Sequence, residues 1–142
     1  MNHGNDNINE RTRTHPQERF APLAQVFDFD AVADEMAREP SATTKRHRQK
    51  TLYRHGNTSL ALFLFEAGAE LREHRANGTV FIQVLDGRII VQAQGTRHEL
   101  TTGQVLVMSP GVPHDLHAEE AARMLLTVCL EPPVEDQKPQ QR

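Results

Sequence analysis

Between residues 51 and 130, glycine, proline and aspartate turn signals recur every 8–12 residues and cut the chain into apolar segments too short for ordinary helices. A core assembled from such pieces must be assembled from strands. Residues 59–65 (SLALFLF) are apolar on both alternating faces, the pattern of a strand covered on both sides by a second sheet or a helix. Further strands are predicted at 70–75, 79–85 (TVFIQVL), 88–94 (RIIVQAQ), 96–100, 105–108, 114–117 and 123–130 (RMLLTVCL). Asp86-Gly87 has the composition of a type I′ hairpin turn, Gln94-Gly95 of a second tight turn, and 109–113 (SPGVP) of a rigid one. About nine short strands with such turns predict an antiparallel sandwich or barrel.

The flanking sequence reads differently. In residues 30–39 (DAVADEMARE), Asp30 has the chemistry of an N-cap, and Pro40 ends the segment, so one short helix is expected there. The basic cluster Lys45, Arg46, His47, Arg48 and Lys50 reads as a solvated loop, with phosphate contact as the alternative. Residues 1–25 and 132–142 are polar and proline-bearing, and are expected to be disordered tails. The resulting division is a tail at 1–25, helix and basic loop at 26–49, a barrel at 50–131 and a tail at 132–142.

A chain of 142 residues suits one domain. With 16 basic against 19 acidic residues it has no field favouring nucleic acid or an anionic membrane, so neither partner is expected. Tryptophan is absent and Tyr53 is the sole tyrosine, which removes the stacking platform of a single-strand nucleic-acid binder. Cys129, the single cysteine, lies in an apolar run and reads as a buried thiol in a reducing compartment. No secretory h-region or membrane-length apolar run is present, so the expected location is cytoplasmic. No nucleophile–base pair, phosphate-cradling loop or paired carboxylates stand out.

The segment 68–118 resembles the two motifs of the cupins, small jelly-roll barrels of the RmlC-like superfamily. Their first motif runs Gly, five residues, His, one residue, His, three or four residues, Glu, six residues, Gly. Gly68, His74 and Gly87 match it, while Ala76 replaces the second His and Val80 the Glu. The second motif runs Gly, five residues, Pro, one residue, Gly, two residues, His, three residues, Asn. Gly103, Gly111 and His114 match, Ser109 stands in the Pro position, and Ala118 replaces the Asn. The resemblance covers residues 50–131, and its phrasing is closest to small single-domain bacterial cupins of undefined activity.

It implies an all-β jelly roll in which His74 and His114 converge on a metal site stripped of two of its four ligands. Such a pair could hold a divalent metal (Zn, Ni, Fe, Mn or Cu) weakly, and no cofactor is fixed. With His74 inward, alternation puts Arg72 and Glu70 on its side and Leu71 and Glu73 opposite. Val80, Ile82 and Val84 continue the lining face; Leu116 shares the side of His114, with His117 facing away and His98 expected outside. The candidate ligand pocket is therefore Arg72, His74, Val80, Ile82, Val84, His114 and Leu116. Gln83 and Gln92 fit either a pocket or an outward position. The implied function is a binding or sensing module for an apolar or weakly anionic small molecule. A metal-dependent oxygenase or isomerase using His74 and His114 is the alternative, so enzyme activity stays open. A homodimer is expected, because small barrels expose edge strands and the N-terminal segment could lie across a neighbour's sheet.

Overall fold

Asp28 opens a helix, α1 (Phe29–Arg38): its carboxylate accepts the N–H groups of Asp30 (3.1 Å) and Ala31 (3.2 Å). The cap is thus Asp28 rather than Asp30. The two aspartates have equal capping chemistry and stand two residues apart, and the helix begins about half a turn earlier than the sequence suggests. Asp30, freed from capping, pairs with Arg123 at 2.6 Å. This is seen in a computed structural model that describes residues 23–40 and 46–133. Most of both expected tails, together with His3, His15 and Lys45, lies outside the described residues.

Among the described residues nine strands follow: β1 (His47–His55), β2 (Thr58–Phe65), β3 (Glu70–His74), β4 (Gly78–Asp86), β5 (Arg88–Ala93), β6 (Thr96–Thr101), β7 (Val105–Met108), β8 (His114–Ala118) and β9 (Ala122–Leu130). They form two antiparallel sheets, ordered β1-β2-β9-β4-β7 and β3-β8-β5-β6. Without β1, these are the two four-stranded sheets of a jelly roll. Among the described residues no ladder joins the sheets edge to edge; they close by packing face to face.

Two expectations need correcting. Asp86-Gly87 is not a hairpin, since β4 and β5 belong to different sheets. Gly87, at φ 91°, is where the chain crosses between them, and a Cβ there would lie 2.4 Å from the Ala121 carbonyl oxygen. The tight hairpin is at Gln94-Gly95, where both residues have positive φ (52° and 76°) and β5 pairs β6. The basic cluster is likewise no solvated loop, because from His47 onward it is strand β1. The Arg48 guanidinium donates to the carbonyls of Met36 and Glu39 at the end of α1, the first of which also accepts the Glu39 N–H, while Arg46 donates to the Ala67 carbonyl (3.2 Å). Lys50 faces Glu35 of the helix at 3.9 Å.

The main core lies between the sheets, where Phe63, Phe65, Val80, Ile82, Val84, Ile89, Val91, Met108, Leu116 and Met124 interlock. A second cluster, Ala33, Met36 and Leu62 with Leu52, Leu64, Leu85 and Leu125, binds α1 to the outer face of the five-stranded sheet. The double-sided apolarity of β2 follows directly: Phe63 and Phe65 point into the jelly roll, Leu62 and Leu64 at the helix. Among the described residues no helix is long and apolar enough to cross a membrane.

Candidate functional site

His74 ends β3 and His114 begins β8, directly opposite one another in the ladder. Their ring centroids are 4.3 Å apart at an interplanar angle of 59°. Both rings are held in the same way. Nδ1–H of His74 donates to the Arg72 carbonyl (2.8 Å) and Nδ1–H of His114 to the Val112 carbonyl (3.0 Å). A carbonyl only accepts, so Nδ1 carries the proton and, in each neutral ring, Nε2 keeps a free lone pair. His114 is 4 % exposed, whereas His74 is open to solvent. Burial pushes the pKa of His114 down and the nearby His74 adds to that; the Val112 carbonyl and Asp115 pull the other way without prevailing. Of the two rings, His114 is thus the inner one, whose protonation burial disfavours.

The backbone around the pair is fixed by bonds between the two sequence motifs. Gly68 N–H donates to the Ala118 carbonyl (2.9 Å), Ala118 N–H to Ala69 (2.9 Å), and Gly111 N–H to Ala76 (2.8 Å). These hold the start of β3 against the end of β8, and the turn before β8 against the segment between β3 and β4.

The predicted pocket residues divide into two groups. Val80, Ile82, Val84 and Leu116 are buried on the inner face, within the cluster that fills the jelly roll. Arg72 does not share the side of His74. The β3–β8 register shifts between Leu71 and His74, where a bulge places Arg72 and Glu73 together opposite Asp115. Leu71 and His74 thus both oppose inward residues, Leu116 and His114, and Leu71 packs on the core. Arg72 is exposed and borders a shallow outer depression of about 320 Å³ with Glu70, Glu73, Asp115 and His117. Gln92 is exposed, and Gln83 sits on the outer face opposite Val105 and Leu125.

Sequence reasoning missed two inward histidines. His98 opposes Val91, an inner-face residue, and is half-buried rather than outside. It borders an open cleft of about 320 Å³ between the edges of β6 and β7, with Ala93, Leu106, Met108 and Val112. Ala93 pairs with His114, so this cleft adjoins the histidine pair. The signal was the alternation Thr96, His98, Leu100 read back from the buried Leu100. His47 stacks on Phe63 (centroids 6.0 Å) and lies tilted against Phe65 (5.9 Å) at one edge of the core.

Among the described residues no group of three or more His, Cys, Asp or Glu side chains converges. Ala76 and Val80 contribute methyl groups where ligands would be needed. The donor set is two imidazoles, which does not fit the three or more protein ligands that catalytic centres use.

Comparison with known proteins agrees with this geometry. No curated protein matches the sequence. Among solved structures, a conserved protein of unknown function from Streptococcus pyogenes superposes with a TM-score of 0.63 at 25% identity, covering 79% of this chain and 92% of that one. A cupin superfamily protein from Desulfitobacterium hafniense gives 0.63 at 15% identity, covering 78% and 94%. The cupin domain of an XRE family transcriptional regulator from Enterobacter cloacae gives 0.54 at 15% identity, covering 63% of this chain and all of that domain. The cupin-domain family profile matches residues 61–129, which contain both histidines, the whole of β3 to β8 and most of β2 and β9. With the motif glycines and the sheet order in agreement with this match, residues 61–129 of the chain are a cupin domain on a jelly-roll fold.

Proposed function

We propose that the protein is a small-molecule binding or sensing cupin whose degenerate metal site serves as the polar end of its ligand site. The observation that carries this reading is the His74–His114 pair, with both Nδ1–H groups committed to carbonyls and both Nε2 atoms left as acceptors. A ligand suited to it has an apolar body and one weakly acidic or hydroxyl head whose proton an imidazole accepts. The cleft beside His114, walled by Ala93, Leu106, Met108 and Val112 with His98 at its side, offers room for the body.

Thermal shift against a panel of weakly acidic metabolites tests this. A ligand at a hundred times its dissociation constant adds about 2.7 kcal/mol of stability, and His74→Ala or His114→Ala should abolish the response. No response to any compound in the panel, or an equal response in both variants, would remove the binding reading.

A second reading, a metal-dependent oxygenase or isomerase, draws on one feature: a carbonyl-tethered Nδ1–H is how metal-ligating histidines are commonly oriented. Calorimetric titration of chelator-treated protein with Ni, Zn and Cu decides between them. Binding no tighter than about millimolar leaves the binder reading alone. Tight binding lost in either histidine variant would bring the enzyme reading forward.

A further inference from the structure

The inner face of the four-stranded sheet carries histidines at two separate places. At the end where the Gln94-Gly95 turn lies, the ladders align His74, His114, Ala93 and Thr96 in one row across β3, β8, β5 and β6. The next row inward is Leu71, Leu116, Val91 and His98. On β5, the strand between His114 and His98, these two rows present only Ala93 and Val91. Two strand spacings and one step of two residues put the two Cα atoms roughly 12 Å apart.

The ground between them is the cleft along β6 and β7, each of which is the last strand of its own sheet. Leu106, Met108 and Val112 give it an aliphatic wall, Thr96 and His98 a polar one, and no acid, lysine or arginine lines it. Val112 joins the cleft to the histidine pair, since its side chain borders the cleft while its carbonyl accepts Nδ1–H of His114.

The two ends differ in hydrogen-bonding character. At His74 and His114 both Nδ1–H groups are committed, so a neutral ring has only an Nε2 lone pair to offer and calls for a donor such as a hydroxyl. Thr96 and His98 stand two residues apart on one face of β6, and both can donate, because an imidazole keeps at least one N–H whether neutral or protonated. With no acid lining the cleft to repel it, a carboxylate suits that end. No Phe, Tyr or Trp lines the cleft to stack on a flat ligand, and the aliphatic wall suits a run of methylenes.

Building on the role proposed above for the His74–His114 pair, we infer that the ligand is a short linear ω-hydroxy carboxylic acid, anchored at its far end by His98. Its hydroxyl donates to Nε2 of the pair, its chain lies over Ala93 against Leu106, Met108 and Val112, and its carboxylate accepts from His98 and Thr96. Allowing for a hydrogen bond at each end, its two heads are roughly 6–9 Å apart, the reach of about a six-carbon chain.

Calorimetric titration of the full chain with ω-hydroxyhexanoate, hexanol and hexanoate tests this, because each of the last two carries one head only. The wild type should bind ω-hydroxyhexanoate at least about tenfold more tightly than either. His98→Ala should remove that advantage over hexanol and weaken hexanoate, leaving hexanol affinity unchanged. His114→Ala should weaken ω-hydroxyhexanoate and hexanol and spare hexanoate. His98→Gln, whose amide still donates, should keep most of the affinity that His98→Ala loses, and circular dichroism verifies that each variant is folded.

A wild type that binds ω-hydroxyhexanoate no more tightly than hexanol, with hexanol still sensitive to His114→Ala, overturns the anchor at His98 and leaves the proposed function standing. Hexanoate affinity that is lost in His114→Ala and kept in His98→Ala overturns the assignment of the two ends. Absence of binding by all three compounds overturns the inferred ligand class, and the response of the weakly acidic metabolites to His74→Ala and His114→Ala then decides the proposed function separately.

Discussion

His114 gives up most of its hydration on entering the wall of the jelly roll, and with His74 beside it the cost of a second charge is felt first at the buried ring. Its pKa is therefore below 6.5 in the folded state, against the pull of the Val112 carbonyl and Asp115. The unfolded chain takes up a proton near 6.5 that the folded chain refuses. The stabilising contribution is complete above that value and is lost as pH falls through it towards the depressed folded value. Urea midpoints measured between about pH 8 and pH 5 should drop more steeply for the wild type than for His114→Gln, whose amide can still donate to Val112. Parallel curves would mean that His114 is not the titrating group. Binding of a ligand whose proton is accepted by the pair should weaken over the same interval. Of this site the sequence revealed the two histidines and the missing partners at Ala76 and Val80. It did not reveal Arg72, because a bulge is one extra residue with no side-chain signature, and it reverses every alternation argument that crosses it.

At the scale of elements, the positions of strands were legible and their partners were not. Gly87 and Gly95 illustrate the difference, since each closes a strand with positive φ but only Gly95 sits in open space. Gly95→Ala should cost about 1–2 kcal/mol, the penalty of a left-handed alanine. Gly87→Ala adds a collision with the backbone of Ala121 and Ala122, so its loss in a denaturation series should clearly exceed that of Gly95→Ala. Equal losses would contradict the crossing seen here. Asp-Gly and Gln-Gly look alike in sequence as turns, and what separates them is which sheet the next strand joins. That is a long-range choice made by Ile89 and Val91 packing opposite Leu116 and Ala118. Local signals misled at α1 as well, since Asp28 and Asp30 have equal capping chemistry and nothing local separates them. Asp28→Ala should destabilise by about 1 kcal/mol, whereas capping by Asp30 would leave that variant unchanged.

The described residues form two cores of unequal size. Fifteen buried residues lock the two sheets together, while Ala33, Met36 and Leu62 are the only buried members of the seam that holds α1. The helix is also short, so little of its order comes from its own propensity. Among the described residues its remaining side-chain attachments are the Arg48 bonds to its end, the Arg123–Asp30 pair and the exposed Lys50–Glu35 contact. Surface pairs of this kind are worth roughly 0–1 kcal/mol each. Opening of α1 from the sheet should therefore require less free energy than unfolding of the jelly roll, and would uncover Leu62 and Leu125 without disturbing β2, β4 or β9. Hydrogen exchange should show α1 amides exchanging well before those of the central strands. Met36→Ala should accelerate exchange in α1 far more than in β4. Ile82→Ala, in the larger core, should cost about 2–5 kcal/mol and accelerate exchange throughout the sheets. If α1 and the central strands exchange together in the wild type, helix and jelly roll form one cooperative unit, and the outer seam contributes more than its three buried side chains suggest.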